Sequence, residues 1–263
     1  MLKIERLNVK ERSGRYLLKE VSMEIPAGQV IGLTGHSGSG KTTLLRSVFG
    51  ILHKSCNIDS GKILLDDVDF SNLSRKSHRK LCGKRLGFIP QNPMTAFDSR
   101  LKIGCQIQET FVNRLHLSAS KATNLAKEKL ICVNLKDTER ILEAYPSELS
   151  GGMLQRVAAA ILLGMSPDYI LADEPTSELD EENRDLLLLI IKNQMKDKGI
   201  LFVSHDVVAL KALCQSVYVL DNGKIVGHGT MSLLLSNPQT DWMKRFSMLS
   251  QKEKRGKWNW EKL

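Results

Sequence analysis

The run Gly35-His36-Ser37-Gly38-Ser39-Gly40-Lys41-Thr42 constrains this chain more than any other stretch. It has the spacing G-x-x-x-x-G-K-[ST]. It stands between a short, nearly continuous apolar strand, 29–34, and a helix expected from about Lys41 to Gly50. The glycines let successive backbone N–H groups curl around a phosphate chain with no Cβ in the way. Lys41 adds a point charge, the helix offers the positive end of its dipole, and Thr42 carries a hydroxyl that can reach Mg²⁺. The loop, with Thr43 beside it, therefore reads as a site for the β- and γ-phosphates of a nucleotide.

The surrounding pattern supplies the frame. Residues 2–9 and 17–25 read as strands, the second alternating inward and outward. A turn at Pro26-Ala27-Gly28 leads into the apolar strand before the loop. Further strands are expected at 61–70, with a turn, and at 85–90. From 92 to 167 strand signals vanish and helices are expected, with one clear period over 121–133. Alternation then returns: strand 168–173, helix 182–196, strand 199–204, helix 206–213, strand 216–221, and a hairpin turn at Asn222-Gly223 into 224–226. An α/β core interrupted by a helical insertion follows, and in such cores ligand chemistry gathers at the carboxyl ends of parallel strands.

Two other segments fit that expectation. Tyr169-Ile170-Leu171-Ala172-Asp173-Glu174 is an apolar strand ending in two carboxylates. Such a pair alone would be a solvated turn. Beside a phosphate loop, Asp173 becomes a ligand for Mg²⁺, directly or through water, and Glu174 can orient or deprotonate an attacking water. Leu149-Ser150-Gly151-Gly152-Met153-Leu154-Gln155-Arg156 reads as a serine-capped helix start. Its adjacent glycines expose backbone N–H groups suited to a second phosphate. Since the chain already has a phosphate loop, the economical reading gives this second site to a nucleotide held by another subunit.

The stretch around Ser150, Gly151, Gly152 and Gln155 resembles the signature of ATP-binding-cassette ATPases, and further elements of that family appear in order. Gln91, in Ile89-Pro90-Gln91-Asn92-Pro93, is similar to the family's glutamine loop, which senses Mg²⁺ and water and couples to a transmembrane subunit. Ser177-Glu178-Leu179-Asp180 resembles the loop that touches the opposite subunit, with Glu178 where alanine is usual. His205, in Val203-Ser204-His205-Asp206, is similar to the switch histidine that contacts the γ-phosphate. The resemblance covers residues 1 to about 240. It implies a P-loop NTPase (RecA-like) core with an N-terminal antiparallel β subdomain, an α-helical signature subdomain inserted at about 92–167, and a short basic tail over 241–263. It also implies ATP and Mg²⁺. Glu174, His205 and Gln91 would be the catalytic groups, Asp180 would join the binding set, and Thr42, Gln91 and Asp173 would be the Mg²⁺ ligands. The family's adenine-stacking aromatic has no clear counterpart: Tyr16 lies close to the following strand, and Arg12 is the alternative plane.

Within the family, Gln91 to Asp98 and Tyr145 to Met153 resemble the peptide/nickel importer branch. The short stretch after Asn237-Pro238, without a cysteine beyond Cys214, favours nickel or metal-chelate importers over oligopeptide ones. The implied partners are transmembrane permease subunits, a second and related ATPase subunit in a head-to-tail dimer, and an extracytoplasmic solute-binding protein. The chain would then lie at the cytoplasmic side of the cell membrane.

Composition narrows the remaining classes. No run of eighteen apolar residues occurs, and Met1 to Arg6 alternates apolar and charged residues unlike a signal peptide. Five scattered cysteines, with no C-x-x-C, argue against a zinc or iron–sulfur site. The net charge is +9, with lysine and arginine spread throughout and clustered at 75–84 and 252–257. The first cluster has no interleaved aromatics, so nucleic acid is not expected. The tail's Trp258 and Trp260 could touch lipid headgroups or the permease. A soluble cassette ATPase, or a P-loop kinase or GTPase, remains the rival. The first is recognised by two cassettes or long coiled coils, and the second leaves Ser150-Gly151-Gly152 and His205 unexplained.

Overall fold

The computed structural model describes residues 1–66, 68–71, 73 and 75–253. Near the N-terminus β1 (Leu2–Glu11) and β2 (Tyr16–Ile25) form an antiparallel pair. After β3 (Val30–Thr34) and α1 (Lys41–Val48) the chain returns to this layer as β4 (Cys56–Leu65) and β5 (Val68–Asp69). The order is β2-β1-β4-β5, and β4 pairs with β1 along its whole length. The polar first half of β4, Cys56 to Gly61, carries no apolar alternation, and the pattern therefore locates only its second half. The expected strand at 61–70 is broken by Asp66, which adopts φ 51° and turns the chain from β4 into β5.

The second sheet carries the chemistry. Helix α2 (Arg75–Leu81) leads to β6 (Leu86–Ile89). After the helical insertion come β7 (Tyr169–Asp173), α7 (Glu181–Gln194), β8 (Gly199–Val203), α8 (Val207–Leu213), β9 (Ser216–Asp221) and β10 (Lys224–Gly229). The order is β10-β9-β3-β8-β7-β6, parallel throughout except for β10. β8 is buried at every position, as expected of a strand covered on both faces. Alternation divides its neighbours between two cores. Tyr169, Leu171, Leu201 and Val203 face α1 and the N-terminal sheet, while Ile170, Ala172, Ile200 and Phe202 face the helices.

The insertion comprises α3 (Ile103–Leu115), α4 (Ala119–Cys132), α5 (Thr138–Glu143) and α6 (Gly151–Met165). Ile103, Ile107 and Phe111 recur at a spacing of four and are fully or almost fully buried on α3. The Phe111 ring lies where a Cβ on Gly164 would come within 2.3 Å of it, so α6 accepts the ring only because residue 164 is glycine.

Two further helices close the chain, α9 (Met231–Ser236) and α10 (Asp241–Glu253). Much of the segment read as a basic tail from 241 is therefore ordered helix, and Met243 and Phe246 anchor it in the larger core. The remainder, with Trp258 and Trp260, lies outside the described residues. No helix among the described residues is long and apolar enough to cross a membrane.

Truncating the ring that joins α3 to α6 leaves a cavity too confined to collapse. Phe111→Ala is expected to lower unfolding stability by about 3–5 kcal/mol, measured by denaturant titration followed by circular dichroism.

Candidate active site

Four loops leave the carboxyl ends of adjacent parallel strands and meet in one cleft. Strand register sets their height, with Ile89 paired to Ala172, Asp173 to Val203, and Val203 to Leu33. The cleft has a volume of about 1150 Å³ and brings together Gly35 to Gly38, Gly40 to Thr43, Gln91, Asp173, Glu174 and His205.

The glycine loop is shaped by close approach. A Cβ on Gly35 would lie 2.1 Å from the Leu220 carbonyl oxygen, so the loop rests directly on the backbone of β9. Gly40, at φ 111°, takes the left-handed conformation that starts α1. His36 Nε2 lies 2.9 Å from Asp221 Oδ1, tying the loop again to the end of β9. Ser39 does not open to the cleft: it is buried behind the loop, and its hydroxyl has no partner among the described residues.

Lys41 is buried and donates to the carbonyls of Gly35 (2.8 Å) and His36 (3.0 Å). Burial holds its ammonium below the ordinary lysine range, against the pull of Glu174 and Asp173. Asp173 is raised, first by burial and then by the neighbouring Glu174 carboxylate, while a hydrogen bond from the Thr42 hydroxyl works the other way. Glu174 has φ 45°, a left-handed backbone uncommon for a non-glycine residue, fixed by its N–H donating to Val203 O at 2.9 Å.

Glu174 and His205 form an ion pair between Oε2 and Nδ1. For Glu174, burial pushes upward, but the hydrogen bond from His205 and the charges of His205 and Lys41 outweigh it and leave the carboxyl below its usual range. His205 is raised, chiefly by that hydrogen bond, against desolvation. The two shifts agree on an ionised pair.

The second glycine segment does not enter this cleft. Ser150 caps α6 by accepting from Met153 N at 3.2 Å, and it is exposed. Gly151 is exposed, and a Cβ there would meet nothing within 4 Å. Asp180 caps α7, accepting from Asn183 N at 2.8 Å. Gln155 departs from its expected role: it is buried, and its Nε2 donates to Pro90 O at 3.1 Å, joining α6 to the glutamine loop rather than facing a ligand.

Of the two candidate planes for a nucleobase only one lines the cleft, and other lining residues were not singled out by the sequence. Tyr16, not Arg12, borders it, beside Arg15, Leu17 and Lys19. The Tyr16 hydroxyl donates to Asp59 at 2.8 Å, and Lys10 lies over its ring at 5.8 Å. The opposite wall includes Val207 with Trp242 and Phe246, whose rings stack at 4.7 Å. Both arrive at i, i+4 spacing on α10, a signal present in the sequence. The assembled loop, lysine, carboxylate pair and histidine define a nucleotide-hydrolysing site of the P-loop class.

Comparison with known proteins agrees. The ABC transporter family model matches residues 18–177, more than half of the chain. The metal-staphylopine import system ATP-binding protein CntD of Staphylococcus aureus is 33% identical over 241 residues, covering 90% of this chain and 88% of that protein. The probable D,D-dipeptide transport ATP-binding protein DdpD of Escherichia coli is 34% identical over 227 residues, covering 85% and 69%. A solved dimeric structure of a bacterial ABC transporter cassette superposes with a TM-score of 0.77 at 25% identity, covering 88% of this chain and 99% of that one. The chain belongs to the ABC transporter family, as an ATPase of that family.

The ion pair has a measurable consequence. A histidine whose pKa is raised in the fold contributes stability that is complete below about 6.5 and is lost as pH rises through the folded value. The His205 ring should therefore titrate above 6.5 by NMR, and Glu174→Gln should lower its midpoint. A midpoint unmoved by that substitution would break the pairing.

Proposed function

We propose that this chain powers solute uptake as one of two ATPase subunits bound to a membrane permease on its cytoplasmic side, with Gln91 as the contact that transmits closure. The observation that carries this reading is the separation of two glycine-rich helix starts in one chain. Lys41 and the loop before it face one cleft, while Ser150, Gly151 and Gly152 open α6 elsewhere. Among the described residues no contact requires glycine at 151. An exposed helix start with a bare backbone suits a nucleotide brought by another subunit, and the dimeric form of the related cassette supports that pairing.

In the cleft, the loop N–H groups and Lys41 would hold the β- and γ-phosphates, and Tyr16 offers a ring face at the other end. The donor set fits Mg²⁺: the Thr42 hydroxyl and the Asp173 carboxylate are hydrogen-bonded neighbours, two hard oxygen ligands on the same wall, with the Gln91 amide alongside. When bound there, Mg²⁺ would draw charge from the phosphate oxygens. Glu174 is ionised and below its normal range, so it is a weak base. Its part is to hold and orient water more than to remove a proton early. His205 fixes that carboxylate through Nδ1 and itself lines the cleft. Positioning and charge neutralisation supply most of what phosphoryl transfer needs.

The cargo we assign to this system is a metal chelate, nickel included. Support comes from the staphylopine-linked relative, which matches nearly end to end. The dipeptide relative favours a short peptide as the second reading. In a strain lacking this chain, loss of nickel and metal-chelate uptake with normal peptide uptake supports the first, and the reverse supports the second.

Lys41→Ala should weaken ATP binding at least tenfold, about 1.4 kcal/mol, by equilibrium dialysis. Glu174→Gln should keep ATP binding and slow turnover on the order of 10²–10⁴-fold, and near-normal turnover would remove Glu174 from its role. Ser150→Arg should impair hydrolysis by the assembled pair and leave ATP binding to the isolated chain intact. Lost binding in the isolated chain would refute the two-subunit site.

A further inference from the structure

The start of α6 and the Asp180 turn both stand outside the cleft, on different parts of the fold. α6 belongs to the helical insertion and α7 to the core, and a short polar chain joins them. Both carboxylate oxygens of Asp180 accept from the Asn183 side-chain amide, at 3.0 and 2.9 Å. Together with the backbone bond at the α7 cap, this fixes which way the amide faces: N–H₂ toward Asp180, oxygen toward α6. Arg156 Nη2 then donates to Asn183 Oδ1 at 3.4 Å, Nε to Gly152 O at 3.3 Å, and Nη1 to Asn134 O at 3.3 Å. Each guanidinium contact is long and individually weak, but the three share one planar group. They tie the first turn of α6, at Gly152, to Asn183 on α7 and to Asn134 in the turn after α4.

Steric fit points the same way. A Cβ on Gly152 would lie 2.6 Å from Asn183 Cγ and 2.7 Å from its Oδ1. Asn183 is thus pressed against the glycine backbone, and the glycine admits it. Arg156 reaches no carboxylate within ion-pair distance among the described residues, and burial lowers its pKa while Glu182 and Asp180 act from further off. The guanidinium is occupied by carbonyl oxygens and the asparagine amide, a directional arrangement suited to setting geometry rather than to neutralising charge.

We infer that Asn183 is a positioning residue that fixes the Ser150-Gly151-Gly152 helix start to the Asp180 turn, so that both are presented to the neighbouring subunit's nucleotide as one unit. The inference rests on the two-subunit site proposed above. Asn183 itself touches no nucleotide. It acts through Gly152 and Asp180, and its influence falls on the neighbour's ATP.

The test uses this chain purified with its co-expressed partner subunits for kinetics, and the isolated chain for binding. Asn183→Ala should lower kcat for ATP hydrolysis about five- to tenfold, leaving KM, and the Kd of the isolated chain for ATP, within twofold. The isosteric Asn183→Asp removes both N–H donors to Asp180 while keeping the side chain's shape, and the same split is expected of it. Unchanged kcat in both variants overturns the inference. So does a fall in kcat matched by weaker ATP binding and a lower melting temperature in the isolated chain, which would mark a merely structural role. Ser150→Arg separates the two claims. If it slows hydrolysis and the Asn183 variants do not, only the positioning role fails. If Ser150→Arg leaves hydrolysis intact, the two-subunit site fails, and the positioning role with it.

Discussion

The level pairing of four parallel strands is the constraint on which the site depends. Leu33, Val203 and Asp173 stand side by side in register, and Ile89 pairs one residue below with Ala172. Two backbone bonds extend the ladder past the strand ends, Glu174 N to Val203 O and Ser204 N to Leu33 O. The glycine loop, the carboxylate pair, the histidine and the glutamine therefore emerge at one height. A slip of one residue in β7 would move Asp173 by about 3.3 Å and turn its side chain to the opposite face. The Thr42 contact and the Glu174–His205 pair would then be lost together. Hydrophobic burial on both faces of the sheet is what forbids the slip, because the same shift would exchange Leu171 and Ala172 between the two cores.

That rigid frame lets the cleft hold charges that water would otherwise disperse. Lys41 lowered and Asp173 raised are both signs of burial, and Glu174 escapes the same fate because His205, helped by Lys41, faces it. Lys41 and the paired His205 face the two carboxylates, and Arg15 and Lys19 add further positive charge to the cleft lining. An anionic nucleotide alone would meet Lys41 and the loop N–H groups but also the repulsion of Asp173 and Glu174. A divalent cation beside Asp173 would remove that conflict, which favours the proposed metal–nucleotide complex over a free polyphosphate.

What the sequence revealed follows from how the demands on each residue are written. Loop glycines, the lysine and the strand-end carboxylates are dictated by short-range chemistry and appear as contiguous motifs. Gln155 was misplaced because it falls within such a motif, although its spacing with Ala158, Ala159 and Leu162 is the i, i+3, i+4, i+7 pattern of a buried helix face. Tyr16 and Arg12 were both candidates for a nucleobase plane. Tyr16 borders the cleft because the two sheets bring β2 and the glycine loop together, a long-range fact that no local pattern states. The polar half of β4 owes its strand to β1 alone. α10 resembled a basic tail because its surface is charged, yet the Trp242 and Phe246 spacing carried the buried stripe.

The two glycines at the start of α6 separate a demand from outside the chain from one within it. At 151 an added Cβ meets open space, so the isolated fold would tolerate alanine there, and a better helix former at that. At 152 the same Cβ would strike Asn183. A substitution at 152 therefore disturbs the Asp180–Asn183–Arg156 chain before any ligand is present, and its effect on hydrolysis mixes internal geometry with contact to a neighbour. Gly151 carries no such ambiguity. Among the described residues nothing packs against its bare backbone, which is the space that the nucleotide of the proposed neighbouring subunit would fill.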